Sequence, residues 1–263
     1  MILLAPSGAA VSGFFDKVQI DSKRYDSLLA DLQRLRGRIY LQDGAIEPQH
    51  LTGERHQLEA DKGSWHVLIL DQDDRVSGCM RCQEYPNHSE FSQLGISNSA
   101  LARCNEWGGK FQGAVEAELA LSRRLERSYA EVGGWALLEN IRGTIEALRL
   151  VLAAYALAEA LGGWVVISTA TRRHGSASIL KRIGGRPLEY QSSELPSYLD
   201  PRYKCEMEVL RFYSWAANPR YIGWINAIKM QLQKTPVFAR SAAHPGWILG
   251  AGSQSKAASA AGY

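Results

Sequence analysis

The sequence has no apolar run approaching the roughly 20 residues that a membrane-spanning helix needs, which excludes an integral helical membrane protein. Charge of one sign is also lacking. Thirty Lys and Arg stand against 27 Asp and Glu, a formal net charge of +3. That is too little for a chain built mainly to bind nucleic acid, although a local basic patch is compatible with it. Cysteine is scarce, at four residues. Cys79 and Cys82 form a CxxC, but no second CxxC and no HxxxH accompanies them to complete a metal site. The surrounding RVSGCMRCQEY has strand character, and side chains three apart on a strand point to opposite faces. The pair therefore reads as structural, and no metal centre is expected. The opening MILLAPSGAA is apolar but lacks a basic flank and is short for a secretion signal, so a cytoplasmic location is expected.

What remains is an ordinary globular composition. The chain has 263 residues, 46% hydrophobic and 22% charged, enough for one large domain or two small ones. It shows no internal repeat and no linker that divides it. The expected organisation is an N-terminal arm over residues 1–20, one domain over 21–235, and a tail over 236–263. The small, polar composition of GAGSQSKAASAAGY suggests that this tail is largely disordered.

Periodicity places the main elements. Leu28, Leu32, Leu35 and Ile39 recur at helical spacing, which predicts an amphipathic helix from Arg24 to Leu41. HVLILD and RVSGCMRCQEY flank the polar QDD turn and read as a β-hairpin. Helical stretches are expected near residues 98–103 and 111–127, then a strand from Tyr129 to Glu139. The stretch from Thr144 to Leu161 has few charges, as a helix buried on most sides does. WVVISTA is β-branched and apolar, a buried strand. Together they form a βαβ unit, parallel and right-handed. A short helix over Ser176–Ile183 ends at Gly184-Gly185, a late strand runs from Lys204 to Tyr213, and Asn218-Pro219 opens a last helix.

Two features inside this frame call for chemistry. Gly133-Gly134 interrupts a strand, which marks a bulge or a close approach of ligand or backbone. Arg142, Gly143 and Thr144 stand at the mouth of the long helix. Free N–H groups and a partial positive charge there suit a phosphate or a pantetheine amide; a turn glycine and an N-cap threonine are the alternative. The segment STATRRHGSASILKRIGG holds several Arg and Lys residues and no acid. His174 within it reads either as a base or as a surface residue at a helix start.

The order hairpin, glycine-interrupted strand, helix, parallel strand and short helix is that of the GNAT acyltransferase superfamily. The chain resembles the long-chain N-acyl amino acid synthases and the acyl-homoserine-lactone synthases, which share that fold. LRGRIY is similar to their first-helix motif, with Arg36 and Tyr40. LEAD supplies the acids Glu59 and Asp61, VSGCMRC a glycine and an arginine at Gly78 and Arg81, and YAEVGGWAL the central-strand Glu131. The lactone synthases carry an arginine three residues after that glutamate. Here the position is Gly134, which favours the N-acyl amino acid branch. The resemblance covers roughly Arg24 to Tyr213.

The resemblance implies an α/β (α+β) three-layer fold, with a central mixed twisted sheet and helices on both faces. It implies transfer of a fatty acyl group from an acyl carrier protein or coenzyme A thioester to the amine of an amino acid, with no permanently bound cofactor. Acyl-homoserine-lactone synthesis and a non-catalytic binding module for acyl thioester or carrier protein are the alternatives. Glu131 is then the candidate base, and the bulged backbone at Gly134 and Trp135 the oxyanion donor. Arg142, Gly143, Thr144, Ser168, Thr169, Arg172 and Arg173 would meet the donor's pantetheine or phosphate. Arg36 and Arg81 would clamp the acceptor's carboxylate, with an ion pair to Glu59 or Asp61 as the other reading. Arg172, Arg173, Lys181, Arg182 and Arg186 would dock an acidic carrier protein.

Overall fold

The 65–70 and 76–85 runs pair as antiparallel strands, as two runs flanking a polar turn predict, and a sheet extends from them in both directions. A computed structural model describes residues 1–173 and 175–240. His174 and the residues after Arg240 lie outside the described residues, as does most of the expected tail. The described strands, in chain order, are β1 (Ile2–Leu4), β2 (Val18–Ile20), β3 (Trp65–Leu70), β4 (Val76–Tyr85), β5 (Ser128–Leu137), β6 (Trp164–Thr171), β7 (Arg186–Pro187), β8 (Glu189–Tyr190), β9 (Ser193–Glu194), β10 (Tyr198–Asp200), β11 (Cys205–Tyr213) and β12 (Val237–Ala239). The helices are α1 (Ser22–Gln42), α2 (Gly108–Arg124), α3 (Ile145–Ala160), α4 (Ser176–Arg182) and α5 (Ile222–Gln233).

The main sheet runs β10-β11-β6-β5-β4-β3-β1-β12-β2, with β7 paired to β11; β8 and β9 form a separate ribbon. It is mixed: β5–β6, β1–β12 and β12–β2 are parallel and the other pairs antiparallel. Helices α1 and α2 cover one face, and α3, α4 and α5 the other. Because α3 lies between the sheet and α5, it is apolar nearly all round. Cys79 packs in the α1 cluster and Cys82 in the α3 cluster, so the two thiols of the CxxC face opposite layers.

The sheet draws on residues outside the 21–235 span. β1 and β2 fall within residues 1–20, and β12 falls after residue 235. Leu3 pairs with Val237, and Val237 in turn with Val18. The first residues and residues 237–239 are therefore woven into the sheet. Strands of three residues show no usable alternation, and pairing with distant neighbours is what forms them. The helix expected near residues 98–103 does not form: residues 100–103 are turns, preceded by 3-10 turns at Phe91–Gln93 and Gly95–Asn98. Ser97 Oγ donates to the Leu94 carbonyl at 2.6 Å and Ser99 Oγ accepts from Ala102 N–H at 3.2 Å. Such local bonds compete with an α-helix for the backbone.

Candidate active site

The parallel pairing of β5 with β6 ends at Glu131 and Ile167. Beyond that pair the strands part, and β5 continues along β4 alone. At the same place the β4–β5 register shifts between Cys79 and Arg81, which pair with Ala136 and Gly133. Two residues, Gly134 and Trp135, thus face Met80 alone. Gly134 adopts φ +66°, the left-handed region that favours glycine. The bulge reverses the phase of the strand: Val132 and Trp135 both pack on the α3 side, while Ala136 joins the α1 cluster.

The parted strands open the sheet from one face to the other. On the α3–α4 side lies a cavity of about 260 Å³ that reaches Arg142, Gly143 and Ala147 at the start of α3. On the α1–α2 side lies a wider groove of about 1180 Å³, lined by Arg81, Gln83, Tyr85, Glu131 and the 92–100 segment. Gly133, Gly134, Ser168, Thr169, Tyr40 and Tyr203 line both. A smaller apolar pocket behind the first, lined by Val151, Tyr155, Ile183 and Phe212, shares Met80, Val132 and Ser168 with it.

Glu131 is 8% exposed. Burial raises its carboxyl above the usual carboxylate range, against the hydrogen bond from Ile96 N–H and the nearby charge of Arg81. Arg81 is half-buried and makes no ion pair or side-chain hydrogen bond among the described residues; its Nε is buried without a partner. A guanidinium in that condition has its donors available to a carboxylate.

Arg36 is a different case: it makes the ion pair with Asp61 that is the other reading of its role. It is 1% exposed and lies outside the walls of both cavities. Its Nη1 and Nη2 donate to Asp61 Oδ1 and Oδ2 at 2.9 and 2.6 Å, and Nη2 also donates to the His56 carbonyl. Gln33 Nε2 and Leu58 N–H complete the bonding of Asp61. The guanidinium is engaged, so it supports the bulge from beneath: a Cβ on Gly134 would lie 3.5 Å from Arg36 Nη1. Glu59 takes no part in the pair and lines the α1–α2 groove instead.

The expected donor-side residues divide. Gly143, Ser168 and Thr169 line the opening, as do Arg142 and Arg173. Arg142 is paired to Asp43 at 3.1 Å, and Arg173 donates to the carbonyls of Asp43 and Lys204. Thr144 is the N-cap of α3, with Oγ1 accepting from Glu146 N–H at 3.2 Å, and its side chain is not part of the wall. Arg172 also lies outside the wall. The basic segment does not lack counter-charge: Arg172 pairs with Glu206 at 2.8 Å and Glu208 at 3.4 Å, and Lys181 with Glu208 at 2.8 Å. Those acids lie on β11, about 30 residues away in sequence, and adjoin the patch through the β6–β11 pairing. Arg182 and Arg186 are exposed and make no ion pair among the described residues.

Several residues of the site carry no signal in the sequence. Tyr203 and Arg202 reach it from the β10–β11 turn; Arg202 Nη2 lies 3.0 Å from His56 Nε2, and Tyr203 meets Tyr40 edge-on at 6.0 Å. Tyr85 and the Gly95–Ile96 peptide reach it beside Glu131.

Among the described residues, no cluster of three or more His, Cys, Asp or Glu is placed to hold a metal ion, and no helix is long and apolar enough to cross a membrane. No protein-family model matches the sequence, and no curated protein matches it. Solved structures do match. A CoA-dependent acyl-homoserine lactone synthase, solved with SAM and isopentyl-CoA, aligns over 90% of this chain and 92% of its own, at 14% identity and a TM-score of 0.52. A second CoA-dependent acyl-homoserine lactone synthase aligns over 79% and 90%, at 14% identity and a TM-score of 0.50. An N-acyl amino acid synthase from uncultured soil microbes aligns over 74% and 94%, at 14% identity and a TM-score of 0.47. At these identities the likeness is one of fold: the chain has the mixed-sheet α/β fold of the GNAT-like acyltransferases that it resembles.

Proposed function

We propose that this chain is an N-acyltransferase that moves a fatty acyl group from the thioester of an acyl carrier protein, or of coenzyme A, to the amino group of an amino acid. One observation carries the reading. A buried carboxylate, Glu131, and a guanidinium without an ion pair among the described residues, Arg81, line one groove at the point where β5 and β6 part.

An amino acid arrives as an ammonium carboxylate. Arg81 would receive the carboxylate. Glu131 would take a proton from the ammonium, directly or through water, and so expose the nitrogen lone pair; its raised affinity for protons suits a base. The amine then attacks the thioester carbon. Backbone N–H groups at Gly134 and Trp135 would stabilise the oxyanion, since the edge of β5 facing β6 has lost its strand partner there. Collapse forms the C–N bond, breaks the C–S bond and releases the thiol. The pantetheine arm would lie between the parted strands, past Ser168 and Thr169, with the chain entering the apolar pocket bounded by Tyr155 and Phe212.

The two lactone synthases that share the fold are described as CoA-dependent, so both donors belong in the test. With Arg172 and Lys181 neutralised, carrier docking falls to Arg182 and Arg186. Gly134 bears on the lactone alternative. An arginine there would sit in a left-handed backbone conformation.

The test is mass spectrometry of lipid extracts from hosts producing wild type or Glu131→Gln, with thiol release measured in parallel. A new series of N-acyl amino acids with the wild type, reduced about 100-fold or more with Glu131→Gln, is expected. If soluble wild type forms no new lipid, and releases no thiol from acyl carrier protein or acyl-CoA with twenty amino acids present, the fold serves as a binding module. Reversing the charge of Arg182 and Arg186 should raise KM for the carrier-borne donor far more than for the CoA thioester.

A further inference from the structure

We infer that Tyr85 and the Gly95–Ile96 peptide are positioning groups for Glu131, forming a built seat that fixes its carboxylate in the acceptor groove. The inference rests on the reading of Glu131 as the base.

The seat has three parts. Ile96 N–H donates to Glu131 Oε1 at 2.8 Å. Gly95 N–H donates to the Tyr85 hydroxyl at 3.1 Å. The hydroxyl thus anchors the turn that brings Ile96 N–H to the Glu131 carboxylate. The third part is a gap. A Cβ on Gly95 would lie 2.7 Å from Glu131 Oε2, so a side chain there would push the carboxylate out of this position. Glycine at 95 is therefore what lets the 3-10 turn close down on the carboxylate.

Strand register explains how the tyrosine gets there. Gln83 pairs with Glu131 and Tyr85 with Tyr129, so Tyr85 is the diagonal neighbour of Glu131 on the same face of the sheet. The charged and titratable groups that act on this carboxylate are Arg81 and Tyr85 from β4 and Tyr129 from β5. The turn that carries Gly95 and Ile96 contributes only backbone donors. An unheld carboxylate would rotate about its side-chain torsions; here both oxygens are occupied or bounded, and the base points one way before the acceptor arrives. Misplacement by about 1 Å costs on the order of 100-fold in a reaction that depends on alignment.

Three variants test this: Tyr85→Phe, Gly95→Ala and Glu131→Gln. Glu131 is followed by carbon-13 NMR of protein labelled at the glutamate carboxyl, with Glu131→Gln assigning the resonance. Tyr85→Phe removes the acceptor for Gly95 N–H, loosens the turn and weakens the Ile96 bond that favours the charged carboxylate. Its titration midpoint should move to higher pH, the acid limb of kcat/KM for the acceptor should move with it, and the rate on that limb should fall about tenfold. In Gly95→Ala kcat should fall about 10- to 100-fold, with KM for the thioester unchanged. If Gly95→Ala fails to fold, as judged by thermal unfolding, Tyr85→Phe decides the matter. Wild-type midpoints and pH profiles in both variants, alongside an inactive Glu131→Gln, would overturn the seat and leave the base in place. A fully active Glu131→Gln would overturn the base, and the NMR midpoint in Tyr85→Phe would still test the seat.

Discussion

At the scale of single residues, the balance of burial against bonding decides which charged groups are free to act. Burial alone would raise the Asp61 carboxyl, but the hydrogen bonds and charge of Arg36 outweigh it and hold the group well below the usual carboxylate range, at about 2. Asp61→Asn removes the charge and leaves the Arg36 guanidinium buried and unpaired. It should cost about 3–5 kcal/mol in urea unfolding; a loss within error of zero would contradict the pairing. His56 and His66 give a second prediction. Burial first, and the Arg36 charge besides, lowers both from 6.5 to about 4. The unfolded chain therefore binds protons that the folded chain refuses. Their stability contribution is whole above about pH 6.5 and declines towards pH 4 by about 1.4 kcal/mol per pH unit for each histidine. Unfolding free energies that stay flat between pH 7 and 5 would exclude this. In the sequence, Arg36 and Arg81 stand as equal candidates, and so do Glu59 and Asp61. What separates them is that Arg36, on α1, meets Asp61 where Gln33 and the Leu58 N–H are also in reach. That is a property of packing, which short motifs do not encode.

Elements were legible in proportion to their length. The helix with Leu28, Leu32, Leu35 and Ile39 on one face, the hairpin and the βαβ unit all stand within a few residues of where periodicity places them. Strands of two or three residues, such as β1 and β12, have no period to detect. The double glycine was the exception, a two-residue signal that marked the bulge correctly, because only a backbone requirement explains glycine inside a strand. It invites a direct measurement. Gly134→Ala forces a side chain into the left-handed region at φ +66°, at a cost of about 1–2 kcal/mol. Thermal unfolding should show that loss. Because the bulge sets the phase of β5, thioester turnover should fall by more than the stability change explains. An alanine variant as stable and as active as wild type would remove the bulge from the mechanism.

For the molecule as a whole, surface charge is set by topology. The basic segment after β6 looked unopposed in sequence, yet β11 returns alongside β6 and brings Glu206 and Glu208 against it. The same connectivity swings the β10–β11 turn over the parted strands. There Arg202 meets His56, Tyr203 meets Tyr40, Lys204 pairs with Glu47 at 2.7 Å, and Arg173 bonds to both rims. The exposed Lys204–Glu47 pair contributes only about 0–1 kcal/mol, so it joins the rims without locking them. Beneath this crossing, the gap between β5 and β6 is open at both ends, one on each face of the sheet. That shape bears on kinetic order. Donor and acceptor would enter from opposite sides and neither would have to leave before the other arrives. Initial-rate plots at several fixed acceptor concentrations should therefore give intersecting lines, and neither substrate should inhibit the other at saturation. Parallel lines would mean that the acyl group rests on the protein between two half-reactions, a stop that a passage with two doors does not require.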